Sequence, residues 1–481
     1  MQAKLAQIGS DKRISVFFVG LLPIAVGIYL LLKQYKYNGA VGTWTVYDWL
    51  TNYQGGFTRR GFAGEIIYLI SSFTHISPLD ILFAFQIFLI GSLYYNISKI
   101  ILLQQDITRH LIVMFSPAFF VSFLNDNTLG RKDTLYFAVM SYLVRFYLEN
   151  KLSKAKEIAY FFIVYPAIIL THEVFFALLP YSLVFIKDKK KTILYSMPSV
   201  LTFALIIISH KLTSHAQAKA QVEAIISSYH KFGIYLANAG ALNWLEFNSK
   251  QGFQYVEYYY FRHFIWVLYV VLWAINVAIL VWFYKKRFTK RIVFYSLLSV
   301  LLMIPVFIVA IDWARFITFE CMSLWFVLLT DANETSELFQ KLDNIFINKI
   351  ANPFILAAVI WVYGGIVGIG IYPTFPNASF GYLTNILYTS IYKDDPTYKL
   401  FMSRMQIGCK VVKCPSNYPQ KLKEGLALIH ENKKLKLDEL EPIYLGACFI
   451  RPNPYLDYKT AEAYCYKIAK RILKVLTLNQ K

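Results

Sequence analysis

Asp48 lies a short way ahead of an arginine pair, Arg59 and Arg60, in the stretch Tyr47-Asp-Trp-Leu-Thr-Asn-Tyr-Gln-Gly-Gly-Phe-Thr-Arg-Arg-Gly61. Paired arginines suit phosphate, because the planar guanidinium stays charged and donates through two parallel N–H groups. A lone carboxylate beside them is a candidate general base for a hydroxyl. Glycines at 55, 56 and 61 let the backbone turn tightly around the group. The segment follows an uncharged apolar run at 14–32, so the expected chemistry sits at a membrane mouth. It would bring a lipid phosphate and a hydroxyl together.

Further ionisable residues fall at the mouths of other apolar runs, where burial makes them costly and a functional reading is the default. They are Gly130-Arg-Lys-Asp133, the pair His172 and Glu173, and Asp312 with Arg315 in Ile311-Asp-Trp-Ala-Arg-Phe316. Arg59, Arg60, Arg131 and Lys132 are candidate anion-binding residues. His172, Asp312 and Arg315 are further binding candidates, and Asp133 and Glu173 are alternative bases. Plain structural roles compete with each reading. Arg59 and Arg60 can pair with Asp48, and Asp133 can neutralise Arg131 and Lys132. Asp312 and Arg315 have the spacing of an i,i+3 pair. Glu320 reads as a core residue bonded to a neighbour. His172 and Glu173, being adjacent on one turn, do not make a coordination site, so neither a metal nor another cofactor is expected.

The chain has 481 residues, 57% hydrophobic and only 16% charged, with 36 Tyr, 39 Phe and 9 Trp. Soluble domains carry roughly 25% charged residues, so an all-α polytopic membrane protein is expected. The formal charge of +20 would suggest nucleic acid in a soluble chain. Here it gathers in short blocks between apolar runs, such as Lys187-Asp-Lys-Lys-Lys191 and Lys285-Lys-Arg-Phe-Thr-Lys-Arg291, as the positive-inside rule requires. No nucleic-acid partner is expected, and no P-loop, dinucleotide fingerprint, nucleophile elbow or zincin helix appears.

Apolar runs place about eleven spans at 14–32, 79–98, 111–124, 134–148, 158–171, 173–186, 193–209, 263–284, 292–311, 315–330 and 351–373. Several are too short to cross a bilayer squarely and read as short or re-entrant pieces lining a cavity. The first lacks a small-residue cleavage site and reads as a retained helix. With the N-terminus inside, the basic blocks fall in the cytoplasm, and every chemistry-bearing mouth falls outside. Few charges are then expected deep in the cytoplasmic halves. Two long outer loops follow, 33–78 and 210–262. Within the first, 62–73 reads as an interfacial amphipathic helix with Glu65 toward water. The aromatics of 255–262 read as an interfacial belt, or alternatively as a sugar-stacking surface.

The transmembrane domain is thus expected over 1–376, and a small, mixed and basic soluble domain over 377–481. That tail holds Cys409, Cys414, Cys448 and Cys465, four of the five cysteines. An even number in an extracytoplasmic domain suggests disulfides.

The first loop with its early acid, the short helices and the C-terminal soluble domain resemble the GT-C glycosyltransferases. Asn52-Tyr-Gln-Gly-Gly-Phe-Thr-Arg-Arg-Gly61, Gly130-Arg-Lys-Asp133 and Thr171-His-Glu173 are similar to membrane proteins of bacterial surface-polysaccharide clusters. The general plan resembles O-antigen polymerases. The resemblance implies a multi-pass protein of the bacterial inner membrane whose partners are the bilayer, a polyprenyl-linked sugar donor and a glycan or lipid-linked acceptor. In that setting Asp48 would be the base and the arginines would hold the donor phosphate. Many GT-C enzymes carry an additional acid in a later loop, so Asp133 or Glu173 would be the alternatives. A lipid-linked-glycan flippase or transporter, needing no base, is the competing expectation.

Overall fold

A computed structural model describes residues 20–32, 35, 44–104, 106–114, 130–234, 236, 241–261, 264–310, 312–330 and 337–346. Apart from Tyr35 they belong to one compact unit, Met1–Leu32 with Trp44–Gly368. The expected span at 351–373, the soluble domain at 377–481 and its four cysteines lie outside the described residues, as does most of the span at 111–124.

Every regular element among the described residues is helical. The chain enters through α1 (Gly20–Leu32) and the short α2 (Trp44–Trp49), then turns through an irregular loop into α3 (Phe62–Thr74). The long α4 (Pro78–Leu102) starts where the Ser77 hydroxyl accepts from Leu79 N, with Pro78 in the first turn, where its missing N–H costs nothing. After α5 (Ile107–Met114) comes α6 (Asp133–Leu148), which packs along α4 and ties to it through Arg145 Nη1 donating to Asn96 Oδ1 at 3.1 Å.

A helical rod follows: α7 (Lys154–Ala159), a π-helical turn (Tyr160–Val164) and α8 (Tyr165–Thr171). His172 breaks it by taking extended backbone, and a 3-10 turn (Glu173–Leu178) leads into α9 (Leu179–Leu183). This interrupted hairpin occupies the two short spans expected at 158–171 and 173–186. Beyond it run α10 (Lys189–Leu212), α11 (His215–Ser228), α12 (Asn243–Glu246) and α13 (Ser249–Val256). The body closes with α14 (Ile265–Tyr284), α15 (Lys290–Val309), α16 (Trp313–Leu328) and α17 (Glu337–Phe346).

Four of these helices are long and apolar enough to cross a membrane: Pro78–Leu102, Lys189–Leu212, Tyr269–Arg287 and Lys290–Val309. On α10 and α15 large aliphatics face outward, with Leu201, Leu205, Leu297 and Leu301 each more than half exposed. An apolar surface of that size belongs against lipid, and the chain is a membrane protein. The other apolar helices, α1, α3 and Glu173–Leu183, are shorter.

The helix expected at 62–73 is present as α3, the described residues of 210–262 are largely helical, and the segments 33–78 and 210–262 touch. Asn52 Nδ2 donates to Ser228 Oγ at 2.9 Å, and Gln221 Nε2 to Phe57 O at 3.4 Å. Glu65 is half-buried on α3. Its carboxylate accepts from Tyr53 N and from Gln54 Nε2, both at 2.8 Å, and so clamps the start of the loop to the first turn of α3. A carboxylate in a first helical turn is already favoured by the helix dipole, and loop donors within reach use it further.

Candidate functional site

Five separate chain segments bring their charged residues to one end of the helical body. They are the end of α2, the loop before α3, the start of α6, the break at His172 and the start of α16. Arg315 Nε donates to Asp133 Oδ2 at 2.7 Å and its Nη2 to Asp133 Oδ1 at 2.5 Å, while its Nη1 reaches Asp312 Oδ2 at 2.8 Å. Arg131 Nη2 meets the same Asp312 oxygen at 3.3 Å. Arg60 forks onto Glu173, with Nε 3.0 Å from Oε2 and Nη2 2.8 Å from Oε1. Arg59 Nη1 lies 3.5 Å from Glu173 Oε1, and its Nη2 donates to the Trp244 carbonyl. Lys132 Nζ donates to Arg60 O at 2.8 Å and stands 3.6 Å from Asp48 Oδ1.

All ten sequence candidates therefore lie in one network, but the pairings differ from those the sequence suggested. Arg59 and Arg60 pair with Glu173, not with Asp48. Asp133 serves Arg315, not its neighbours Arg131 and Lys132. The i,i+3 contact of Asp312 and Arg315 is present, inside a larger cluster. His172 turns its ring to Arg315, with Nε2 3.3 Å from Nη2, and its Nδ1 accepts from Val174 N at 3.4 Å. Of the aromatics at 255–262, Tyr260 is buried and stacked on Trp313 at 4.7 Å, so it offers no face to a sugar or to the interface.

Asp48 is the exception in this network. It is fully buried, and neither carboxylate oxygen has a hydrogen-bond partner among the described residues. Burial alone would raise its pKa. The surrounding cations, Lys132 first, outweigh that and hold the carboxyl well below the usual range, so Asp48 is an anion at all physiological pH values. Lys132 has the complementary problem: burial pushes its ammonium down to about 8 despite the pull of Asp48. His172 is pushed down to about 4 by burial and by Arg60, and is neutral at pH 7. Five cations (Arg59, Arg60, Arg131, Lys132 and Arg315) thus face four carboxylates (Asp48, Asp133, Glu173 and Asp312). Among the described residues the cluster therefore carries one more cation than carboxylates.

Local structure explains the placement. Arg60 sits at φ 69°, a left-handed conformation that costs a non-glycine residue about 1–3 kcal/mol and persists only where its surroundings enforce it. Here the Lys132 ammonium on its carbonyl and the Glu173 fork on its side chain do so. Gly130, at φ 73°, presents its carbonyl to Trp49 Nε1 at 2.6 Å and Gln86 Nε2 at 2.8 Å, which fixes Lys132 two residues on. Gln86, a polar side chain within a predicted span, carried a signal that sequence reasoning did not use. At the open edge of the cluster, Arg59 keeps 20% of its side chain exposed. The loop that carries it also supplies Gly55 and Phe57 to an apolar groove of about 780 Å³, completed by Leu205, Ile208, Leu212 and Gln221 of α10 and α11.

A second buried polar group lies at the far end of α16, roughly 20 Å from Arg315 at 1.5 Å per residue. Asp343 of α17 accepts from the backbone N–H groups of Ile107 and Thr108 at 2.9 and 2.6 Å. Arg109 lies 3.5 Å from Asp106, His110 Nδ1 is 2.8 Å from the Tyr284 hydroxyl, and Arg287 Nη1 donates to Leu328 O at 2.7 Å. Buried charges therefore gather at this end of α16 as well. Arg287, read as part of an exposed basic block, is 3% exposed and donates to the Leu328 carbonyl at the end of α16 and to Gln104 Oε1.

No protein-family model, curated protein or solved structure matches this chain.

Proposed function

We propose that the protein is an integral-membrane glycosyltransferase or glycan polymerase that uses a polyprenyl-phosphate- or diphosphate-linked sugar at the extracytoplasmic face in surface-polysaccharide assembly. The observation that supports this reading is Asp48: a buried carboxylate whose two oxygens have no hydrogen-bond partner among the described residues, ringed by cations that outnumber the described anions by one. Such a carboxylate calls for a hydroxyl donor, and such a ring calls for a further anion. Asp133 and Glu173 are each engaged by an arginine fork, which leaves Asp48 as the base. The acceptor hydroxyl donates to Asp48 as its oxygen bonds to the sugar's anomeric carbon. The bond from that carbon to the phosphate oxygen breaks, the lipid phosphate leaves with its charge matched by Arg59, Arg60 and Lys132, and the proton passes to Asp48 as the phosphate neutralises the cations that hold its pKa down. The apolar groove that Gly55 and Phe57 of the same loop help to line suits the first isoprene units of the donor.

The eleven-span count, the bacterial inner membrane and an extracytoplasmic tail belong to the same proposal. A lipid-linked-glycan transporter is the second reading. It is favoured by the buried polar residues at both ends of α16, which an enzyme with a single site does not need. Binding of a polyprenyl monophosphate to the purified protein tests the anion site common to both. Arg59→Ala should weaken it about tenfold or more, equivalent to roughly 1.4 kcal/mol. Failure of the wild-type protein to bind the lipid at all contradicts both readings.

A further inference from the structure

Glu320 lies on α16 between the two polar ends, 2% exposed, and among the described residues its hydrogen-bond partners are hydroxyls. Tyr181 of α9 donates to Oε2 at 2.8 Å. Ser299 of α15 places its Oγ 2.9 Å from Glu320 Oε1 and 2.8 Å from the carbonyl oxygen of Ala177 in the 3-10 turn. Two oxygens at that separation need a proton between them, since otherwise their lone pairs repel. The Ser299 hydroxyl has one proton, and two acceptors lie within reach of it. Tyr181 has already used its proton on Oε2. Each Ser299 contact has a proton of its own when the second comes from the carboxyl group: Glu320 donates through Oε1 to Ser299 Oγ, and Ser299 donates to Ala177 O.

We infer that Glu320 is a proton-binding site inside the membrane, held as the neutral carboxylic acid in this conformation. The groups around it agree. The titratable side chains that sense its charge are Tyr181 of α9, Tyr136 of α6 and Cys321 of its own helix, all neutral, and no cation reaches it among the described residues. An unpaired carboxylate at that depth is strongly disfavoured, whereas a protonated one completes a closed set of hydrogen bonds. Release of the proton leaves Glu320 Oε1 and Ala177 O competing for one hydroxyl. The packing of α15 against the 3-10 turn and α9 is then weakened, so protonation and this helix contact are linked. The inference does not depend on which lipid, if any, the charged cluster binds.

Infrared spectroscopy of the full-length protein in lipid nanodiscs tests it. The wild type at pH 7 should show a carboxylic-acid C=O band that shifts in D2O and is missing from Glu320→Gln. Glutamine donates to Ser299 and accepts from Tyr181 as the neutral acid does, so the variant should fold with Tm near that of the wild type. Ser299→Ala should move the band to higher frequency, because the acid loses its acceptor. Loss of a carboxylate band instead of an acid band in Glu320→Gln overturns the inference. So does failure of that variant to fold, since glutamine supplies every hydrogen bond the acid does.

Discussion

Lys132 Nζ stands 3.6 Å from Asp48 Oδ1, both residues wholly buried, while its one short hydrogen bond goes to the Arg60 carbonyl. The ammonium therefore balances the Asp48 charge without occupying the carboxylate's lone pairs. That leaves Asp48 charged, neutralised at a distance and without a hydrogen-bond partner among the described residues. The same lysine holds Arg60 in its left-handed backbone, so one side chain sets both the candidate base and the candidate anion site.

Removal of one member of this pair leaves the other as an uncompensated buried charge. Lys132→Met should cost about 3–5 kcal/mol. Asp48→Asn with Lys132→Met should recover much of that, giving a favourable coupling in a double-mutant cycle read from unfolding in detergent. Additive losses would mean that the two charges do not sense each other.

The lysine also predicts two pH trends of opposite sign. Its ammonium titrates at about 8 in the folded protein, against about 10.4 in an unfolded chain. Between those values the unfolded chain holds a proton that the folded chain has released, so this group's contribution to stability rises with pH. Anion binding should fall over the same interval as the cation is lost. Lipid-phosphate affinity and Tm measured from about pH 7 to 9.5 should move apart, and Lys132→Arg should abolish the divergence.

Gly64 in α3 faces the carbonyls of Trp49 and Thr51, and a β-carbon there would collide with both. Gly64→Ala should push away the chain just after Asp48 and cost about 1–3 kcal/mol as overpacking does, with loss of activity. Gly91, where an added β-carbon meets nothing within 4 Å, is the control. Gly91→Ala in the middle of α4 should stabilise slightly. Equal effects of the two substitutions on Tm and activity would remove the close approach from the account.

The sequence made part of this legible. Runs of apolar residues marked the long helices, and alternation with charged mouths placed Asp48, Arg59, Arg60, Asp133, Glu173 and Arg315 at one end before any contact was known. The pairings were not legible, because they depend on how five segments pack. Adjacency suggested Asp133 with Lys132, whereas the start of α16 brings Arg315 to it. Helical structure in 210–262 was masked by mixed polarity, although Ser214 with Gln217 and Asn248 with Gln251 form two capping boxes that announce helix starts. The buried charges at the far end were hidden in Lys285-Lys-Arg287, where Lys285 and Lys286 are exposed and Arg287 turns inward.

Glycan product formed by membranes carrying Asp48→Asn, at expression matched to the wild type, tests the central claim most directly. Asparagine keeps the shape and removes the proton acceptor. Product formation should fall on the order of 10²–10⁴-fold while binding of a polyprenyl phosphate is retained. Product close to the wild-type level would contradict the account, because a transporter or scaffold built on the same arginines has no need of a base at Asp48.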